Sequence, residues 1–262
     1  MFVKRIFLLG VLLGTSLLFS EDFRLGSWNV RYVEKKDSLA GDAWSKRVPE
    51  ISRIIHFTDF DVIGIQEADS FQTMNLSSFL QDYHFYAPDS ESGNPIFFKK
   101  EIFDVLDSGF FWISETDSIR SRGWDARDYR TCVWLKLMQK DTKKIFYFFN
   151  THWDHKGAEA RYHSAQQLLK KIPKMIKNEP WFYVGDLNAQ RHQKPLKIIE
   201  KSGFAFFAYT YQTFTLMQCL CFTTAMHPII RSTISYEKMQ PYHSSFVIPD
   251  GHQKLQRFVR NW

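Results

Sequence analysis

Four apolar runs in this chain each end on a polar residue that cannot be buried without a partner, and that recurrence constrains the fold more than any other feature. Leu25-Gly26-Ser27-Trp28 leads into Asn29, and Val62-Ile63-Gly64-Ile65-Gln66 into Glu67. Ile145-Phe146-Tyr147-Phe148-Phe149 leads into Asn150-Thr151-His152-Trp153-Asp154-His155, and Trp181-Phe182-Tyr183-Val184 into Gly185-Asp186-Leu187-Asn188. Short apolar runs bounded by polar residues read as buried strands. A buried strand tipped with Asn, Glu or Asp presents that group at a sheet edge, and in open α/β sheets ligands gather outside the carboxyl ends of the strands.

The rest of the chain alternates between two periods. Val48, Ile51, Ile54 and Ile55 share one face of a helix that starts near Trp44, with Pro49 falling near its first turn. A short helix over 71–80 follows the Glu67 strand, and a long one over 157–177 follows His155, to be kinked or ended by Pro173. Residues 196–201 form a last helical turn or two, stopped by Gly203. Between them, residues 95–99, 105–113 and 132–138 are rich in aromatic and β-branched side chains and read as further strands. Strand–helix units mixed with runs of strands indicate an α/β protein with mixed sheets.

Residues 1–20 stand apart: Lys4 and Arg5 precede an apolar run that is short for a membrane span, the pattern of a secretory leader and of a secreted or periplasmic protein. Its cleavage site is imperfect, because Ser20 is small and Leu18 is not; an uncleaved anchor or a lipid-facing tail is the competing reading. Of the formal charge of +6, Lys4 and Arg5 contribute two, which leaves +4 and a weak match to a phosphate-rich partner. The three cysteines, Cys132, Cys219 and Cys221, provide neither a disulfide framework nor a zinc pattern.

Oxygen and amide groups such as Asn29, Glu67, Asp186 and Asn188 suit a hard cation, and magnesium needs only one or two protein carboxylates. His152 can donate a hydrogen bond to a phosphoryl oxygen as charge grows there, and strand alternation places His152 and Asp154 on one face and His155 on the other. Each of these signals alone is more often structural than functional; their recurrence in order along the chain lifts them.

The stretches Ser27-Trp28-Asn29-Val30-Arg31, Ile65-Gln66-Glu67-Ala68, Phe149-Asn150-Thr151-His152-Trp153-Asp154-His155 and Val184-Gly185-Asp186-Leu187-Asn188 resemble the endonuclease/exonuclease/phosphatase superfamily. Gly109-Phe110-Phe111-Trp112-Ile113-Ser114-Glu115-Thr116 and Gly123-Trp124-Asp125-Ala126 resemble a compact bacterial branch of it, and the likeness runs from about residue 23 to 204. The resemblance implies a four-layer α/β/β/α sandwich of two mixed sheets. It also implies a Mg2+- or Mn2+-dependent phosphoesterase that cleaves a phosphodiester or phosphomonoester with a metal-activated water. By motif, Glu67 and Asn29 would bind the metal, Asn29 also the phosphate; His152 would contact the scissile phosphate, Asp186 would orient or deprotonate the water, and Asn188 would position phosphate or metal. Arg130 is either a bidentate phosphate clamp or a surface ion pair with Asp128, and Asp154 orients neighbours, with Arg161 as its candidate partner.

The resemblance fails after about residue 205. The superfamily's closing Ile-Asp-Tyr-Ile-Phe and Ser-Asp-His motifs are missing, and Pro249-Asp250-Gly251-His252 is the nearest stretch. Residues 204–235 contain a single formal charge, Arg231. The sequence therefore divides into a leader (1–20), the family domain (21–205) and an atypical segment (206–262) that a shifted reading frame would explain, leaving the sheets incomplete at that end. A catalytically inactive phosphate- or nucleic-acid-binding protein with the same fold is the alternative to the enzyme. The expected partner of a monomeric chain without a stable membrane span is a phosphate ester, nucleic acid included.

Overall fold

The structure is a computed structural model that describes residues 24–88, 93–203 and 219–222. In chain order the elements are β1 (Leu25–Asn29), α1 (Lys35–Leu39), α2 (Trp44–Thr58), β2 (Val62–Gln66), α3 (Ser70–Phe79), β3 (Tyr83–Tyr86) and β4 (Ile96–Lys99). They continue as β5 (Phe103–Trp112), β6 (Thr131–Gln139), β7 (Ile145–His152), α4 (Ala158–Met175), β8 (Trp181–Asp186), α5 (Lys194–Lys201) and β9 (Cys219–Phe222). The strands form a four-stranded sheet of order β1-β2-β4-β3 and a five-stranded sheet of order β5-β6-β7-β8-β9. Both are mixed: β1 with β2 and β7 with β8 are parallel, and the other pairs are antiparallel.

Strand alternation sorts the apolar side chains into three cores, one per layer boundary. Ile63 and Ile65 of β2 pack beneath Ile51 and Ile55 of α2 and Leu76 of α3. Val62 on the opposite face joins Phe98, Leu135, Phe148 and Val184 between the sheets. Phe149, Trp181 and Tyr183 turn outward to meet Leu168 and Ile172 of α4 and Ile199 of α5. The result is the four-layer α/β/β/α sandwich that the resemblance implied. Gly64 lets the two sheets close up at their centre, because a Cβ there would stand 2.6 Å from the Asn150 amide and 2.8 Å from Val184.

Two prolines lie close to where the sequence puts helix boundaries. Pro49 lies in the second turn of α2 rather than the first, and α4 runs two residues past Pro173 before ending at Met175. A proline two residues from a C-terminus removes only one hydrogen bond from a turn that is about to finish. Three elements were not expected: the short helix α1 and the edge strands β3 and β9. β9 lies beyond residue 205 and pairs antiparallel with β8, Val184 opposite Cys219 and Trp181 opposite Phe222. The leader and the Asp250–His252 stretch lie outside the described residues. Among the described residues no helix is long and apolar enough to cross a membrane.

Candidate active site

The register of the parallel pairs assembles the site. Asn29 ends β1 opposite Gln66, one residue before Glu67, and His152 ends β7 directly opposite Asp186 of β8. Side chains at alternate positions share a face, so Asn150 and His152 continue the inter-sheet face of Phe146 and Phe148, and Asp186 continues that of Phe182 and Val184. Apolar packing closes the space between the sheets along the strands and gives way to polar groups at their carboxyl ends. Gly185 permits this at β8: its φ is +149°, and a Cβ would stand 2.1 Å from the Thr151 carbonyl oxygen.

Asn29 is the hub. Its Oδ1 accepts from the Arg31 backbone N–H at 2.9 Å, which fixes the amide and turns Nδ2 inward. Nδ2 then donates to Glu67 Oε1 at 2.8 Å and to Asp186 Oδ2 at 3.0 Å. The Tyr32 backbone N–H supports Glu67 Oε2 at 3.1 Å, and the Asn188 backbone N–H supports Asp186 Oδ1 at 3.0 Å. Arg31, Glu67 and Asn188 all have positive φ, at 61°, 62° and 45°. Such conformations cost about 1–3 kcal/mol each and collect where a site must aim its side chains.

Two carboxylates across one amide make an electrostatically tense pair. Burial pushes the Asp186 carboxyl up from its ordinary value and the Glu67 charge adds to that, against the bonds from Asn29 and the Asn188 N–H. Beside it, His152 is buried and lies 3.7 Å from Asp186 Oδ2. Burial first, then the Arg130 charge and the nearby His155, hold its imidazole well below the ordinary value, so the ring is neutral at pH 7. Asn188 Nδ2 donates to the Trp153 carbonyl at 2.9 Å, so the same nitrogen, 3.0 Å from His152 Nε2, meets a lone pair there. The His152 proton therefore sits on Nδ1.

Arg130 flanks this group with its side chain only 11% exposed, so the ion pair with Asp128 weighed in the sequence forms from a largely covered guanidinium rather than a surface one. It does lie 3.6 Å from Asp128, and equally 3.6 Å from the buried Asp154. Its charge also acts on Asp186 and Glu67. Asp154 orients its neighbours, as expected, by accepting backbone N–H groups of Asp128, Lys156 and Gly157. Arg161 does reach Asp154, at the main-chain carbonyl (2.8 Å) rather than the carboxylate. Because β7 stops at His152, strand alternation no longer governs Asp154.

Asn29, Glu67, His152, Asp186 and Asn188 thus form one connected cluster, with Arg130 beside it. Sequence reasoning missed a second grouping, Asp128, Asp154 and His155, whose candidate ligand atoms all lie within 4.8 Å of one another. The Asp154-His155 pair was visible in the motif, but nothing local signalled Asp128, which joins through the chain's path into β6. The Glu115 and Gly123-Trp124-Asp125 motifs prove to be supports: Glu115 accepts the Trp124 N–H, and Asp125 accepts the Glu159 and Ala160 N–H groups at the start of α4.

The donor set fits a hard divalent cation, with two carboxylates converging on one amide and a buried carboxyl that makes no ion pair with a lysine or arginine among the described residues. Glu67 would be the direct oxygen donor to such a cation; Asn29 would have to exchange its Arg31 N–H to offer Oδ1.

Known proteins agree with this architecture. Residues 26–226 match the sequence pattern described as "Endonuclease/Exonuclease/phosphatase family". A mannosyl-6-phosphatase of Bacteroides thetaiotaomicron superposes with a TM-score of 0.72 at 29% identity, over 78% of this chain and 86% of that one. A family protein from Bacteroides vulgatus superposes at 0.67 with 32% identity, over 71% of this chain and 74% of that one. Zebrafish TDP2 superposes at 0.61 with 15% identity, covering 78% of this chain and 85% of its own, and shows the fold alone. No curated protein matches the sequence. The family's own description names enzymes that cleave phosphate esters, and this chain belongs to the endonuclease/exonuclease/phosphatase family.

Proposed function

We propose that the chain is a divalent-cation-dependent phosphoesterase that hydrolyses a phosphodiester or phosphomonoester with water as the nucleophile. One observation carries this reading: Asn29 Nδ2 ties Glu67 to Asp186 at the strand ends, next to a neutral buried histidine and a largely covered arginine. Glu67, with Asn29 after its amide exchanges partners, would hold magnesium or manganese, which when bound polarises a phosphoryl oxygen and acidifies water.

The protein's own groups divide the remaining work. Asp186, held on both oxygens by Asn29 and the Asn188 N–H, orients the attacking water and takes its proton as the new P–O bond forms and the ester P–O bond breaks, the leaving oxygen departing as an alcohol with a proton taken from solvent. Arg130 grips non-bridging oxygens with a planar fork that cannot lose its charge. His152 serves the phosphoryl oxygen as a hydrogen-bond donor; because Nε2 accepts from Asn188 in the resting arrangement, that role requires the proton to move from Nδ1 to Nε2 as phosphate enters. Asn188 holds that ring and the Trp153 carbonyl, and so keeps the phosphate position fixed. We further propose export of a monomer after loss of residues 1–20, on the basic and apolar pattern of that segment.

The name of the Bacteroides thetaiotaomicron relative favours a sugar phosphomonoester over nucleic acid as the first substrate to try. The absent Asp-His motif favours the inactive binder. Hydrolysis of p-nitrophenyl phosphate and of bis-p-nitrophenyl phosphate, with Mg2+ or Mn2+ and then with chelator, decides between the two. Turnover that needs metal and falls about 100-fold or more in His152→Ala and in Glu67→Gln supports the enzyme. Phosphate binding without turnover would leave the binder.

A further inference from the structure

Arg130 is held in place by residues that follow His152 on the same loop. Asp154 is 1% exposed, and three backbone N–H groups fix its carboxylate: Lys156 at 2.9 Å and Gly157 at 2.7 Å on Oδ1, and Asp128 at 3.0 Å on Oδ2. That oxygen lies 3.6 Å from Arg130 Nε, which is buried and makes no hydrogen bond among the described residues. On the other branch of the fork, Arg130 Nη2 stands 3.3 Å from His155 Nδ1. A guanidinium only donates, so Nδ1 accepts and His155 carries its proton on Nε2. Asp128 Oδ2 completes the ring of partners, 3.6 Å from both Nη2 and His155 Nδ1.

The spacing of Asp128, Asp154 and His155 is that of a cation site, and the cation it holds is the guanidinium itself. The Asp154 charge facing Nε at 3.6 Å and the His155 imidazole accepting from Nη2 at 3.3 Å bias the plane of the fork. Further donors of the fork stay available for an anion, and the Arg130 charge interacts with those of Asp186 and Glu67. Without Asp154 and His155 a long, flexible side chain would pay rotamer entropy each time phosphate bound.

We propose that Asp154 and His155 are positioning residues that pre-orient Arg130 for the phosphoryl group. The role assigned to Arg130 rests on the phosphoesterase reading. His155 is the member to test, because its side chain is 37% exposed and its replacement opens no core, whereas Asp154 also anchors three backbone groups.

The experiment is a double-mutant cycle on the full chain with Mg2+: wild type, His155→Ala, His155→Asn, Arg130→Ala and the His155→Ala/Arg130→Ala double variant. It reads the dissociation constant of inorganic phosphate by calorimetry, and kcat and KM on p-nitrophenyl phosphate. Arg130→Lys, which keeps the charge and loses the fork, replaces Arg130→Ala if that variant does not fold. We expect His155→Ala to weaken phosphate binding about tenfold, the size of one charge-assisted hydrogen bond. His155→Asn should restore most of that, since an amide oxygen can accept from Nη2. In the Arg130→Ala background His155→Ala should change binding less than about twofold. Additive losses, no loss in His155→Ala, failure of Asn to rescue, or no phosphate binding by the wild type would each overturn the positioning role. Coupled phosphate binding without any turnover would uphold it and sink only the hydrolase reading.

Discussion

Asn150 is fully buried between the two sheets, and both ends of its amide are engaged there. Nδ2 donates to the carbonyls of Ile65 (2.8 Å) and Pro95 (3.0 Å), and Oδ1 accepts from Gln66 Nε2 at 2.7 Å. Gln66 passes the chain on to Ser27 Oγ at 3.1 Å. One polar thread therefore ties β7 to β2 and β1 just beneath the site and sets the distance between the sheets. Asn150→Leu keeps the volume and removes every bond, leaving buried donors and acceptors unpaired, at a cost of about 2–4 kcal/mol. Urea unfolding measures it; a loss within the usual ±0.5 kcal/mol of a surface substitution would show that the thread does not carry the sheet contact. At this scale the sequence was legible in part. The motif Asn150-Thr151-His152 announced a polar strand end, yet nothing in it says that Asn150 braces the sheets while His152, two positions on, faces the site. That division is set by β2 and β8, whose contributions come from far along the chain.

Between elements, Glu179 joins the loop before β8 to β6, with Oε1 2.9 Å from Lys136 Nζ and Oε2 accepting the Lys177 N–H at 3.0 Å. Lys136 also lies over the Tyr147 ring, 5.1 Å from its centre. The bond from Lys136, helped by backbone N–H groups, lowers the Glu179 carboxyl from 4.5 to about 2. A depressed carboxyl stabilises the folded chain above its unfolded value, and that contribution is lost as pH falls through the folded one. Glu179→Gln should therefore be less stable than the wild type at pH 7, by under about 1 kcal/mol for a partly exposed pair. The gap should close between about pH 4.5 and 2, which denaturation midpoints at stepped pH can follow. A constant gap across that window would mean that the ion pair contributes nothing. Elements were the most legible scale, because β2, β7, β8 and α4 have unbroken hydrophobic periods. The unexpected α1 has no buried residue, and β3 has one, Tyr83, so neither had a hydrophobic pattern to read.

For the whole molecule, the open question is where the domain ends, and β9 makes it testable. The family match runs to residue 226, past the point near residue 205 where the motif resemblance was expected to end. β9 covers the edge of β8, the strand that carries Asp186. If residues 204–226 belong to the domain, a chain ended at residue 203 leaves β8 as a bare edge with Trp181, Phe182, Tyr183 and Val184 along it. Exposed edge strands of that composition pair with other chains. A chain ended at 226 should then match the full chain in midpoint temperature and elute as a monomer, while a chain ended at 203 should melt several degrees lower and aggregate. A shifted reading frame near residue 205 predicts the reverse: those residues would contribute nothing specific, and the two shortened chains would behave alike. Size-exclusion chromatography and thermal melts of the two chains separate the cases. The measurement also bears on catalysis, because the strand that β9 protects holds the carboxylate that Asn29 links to Glu67.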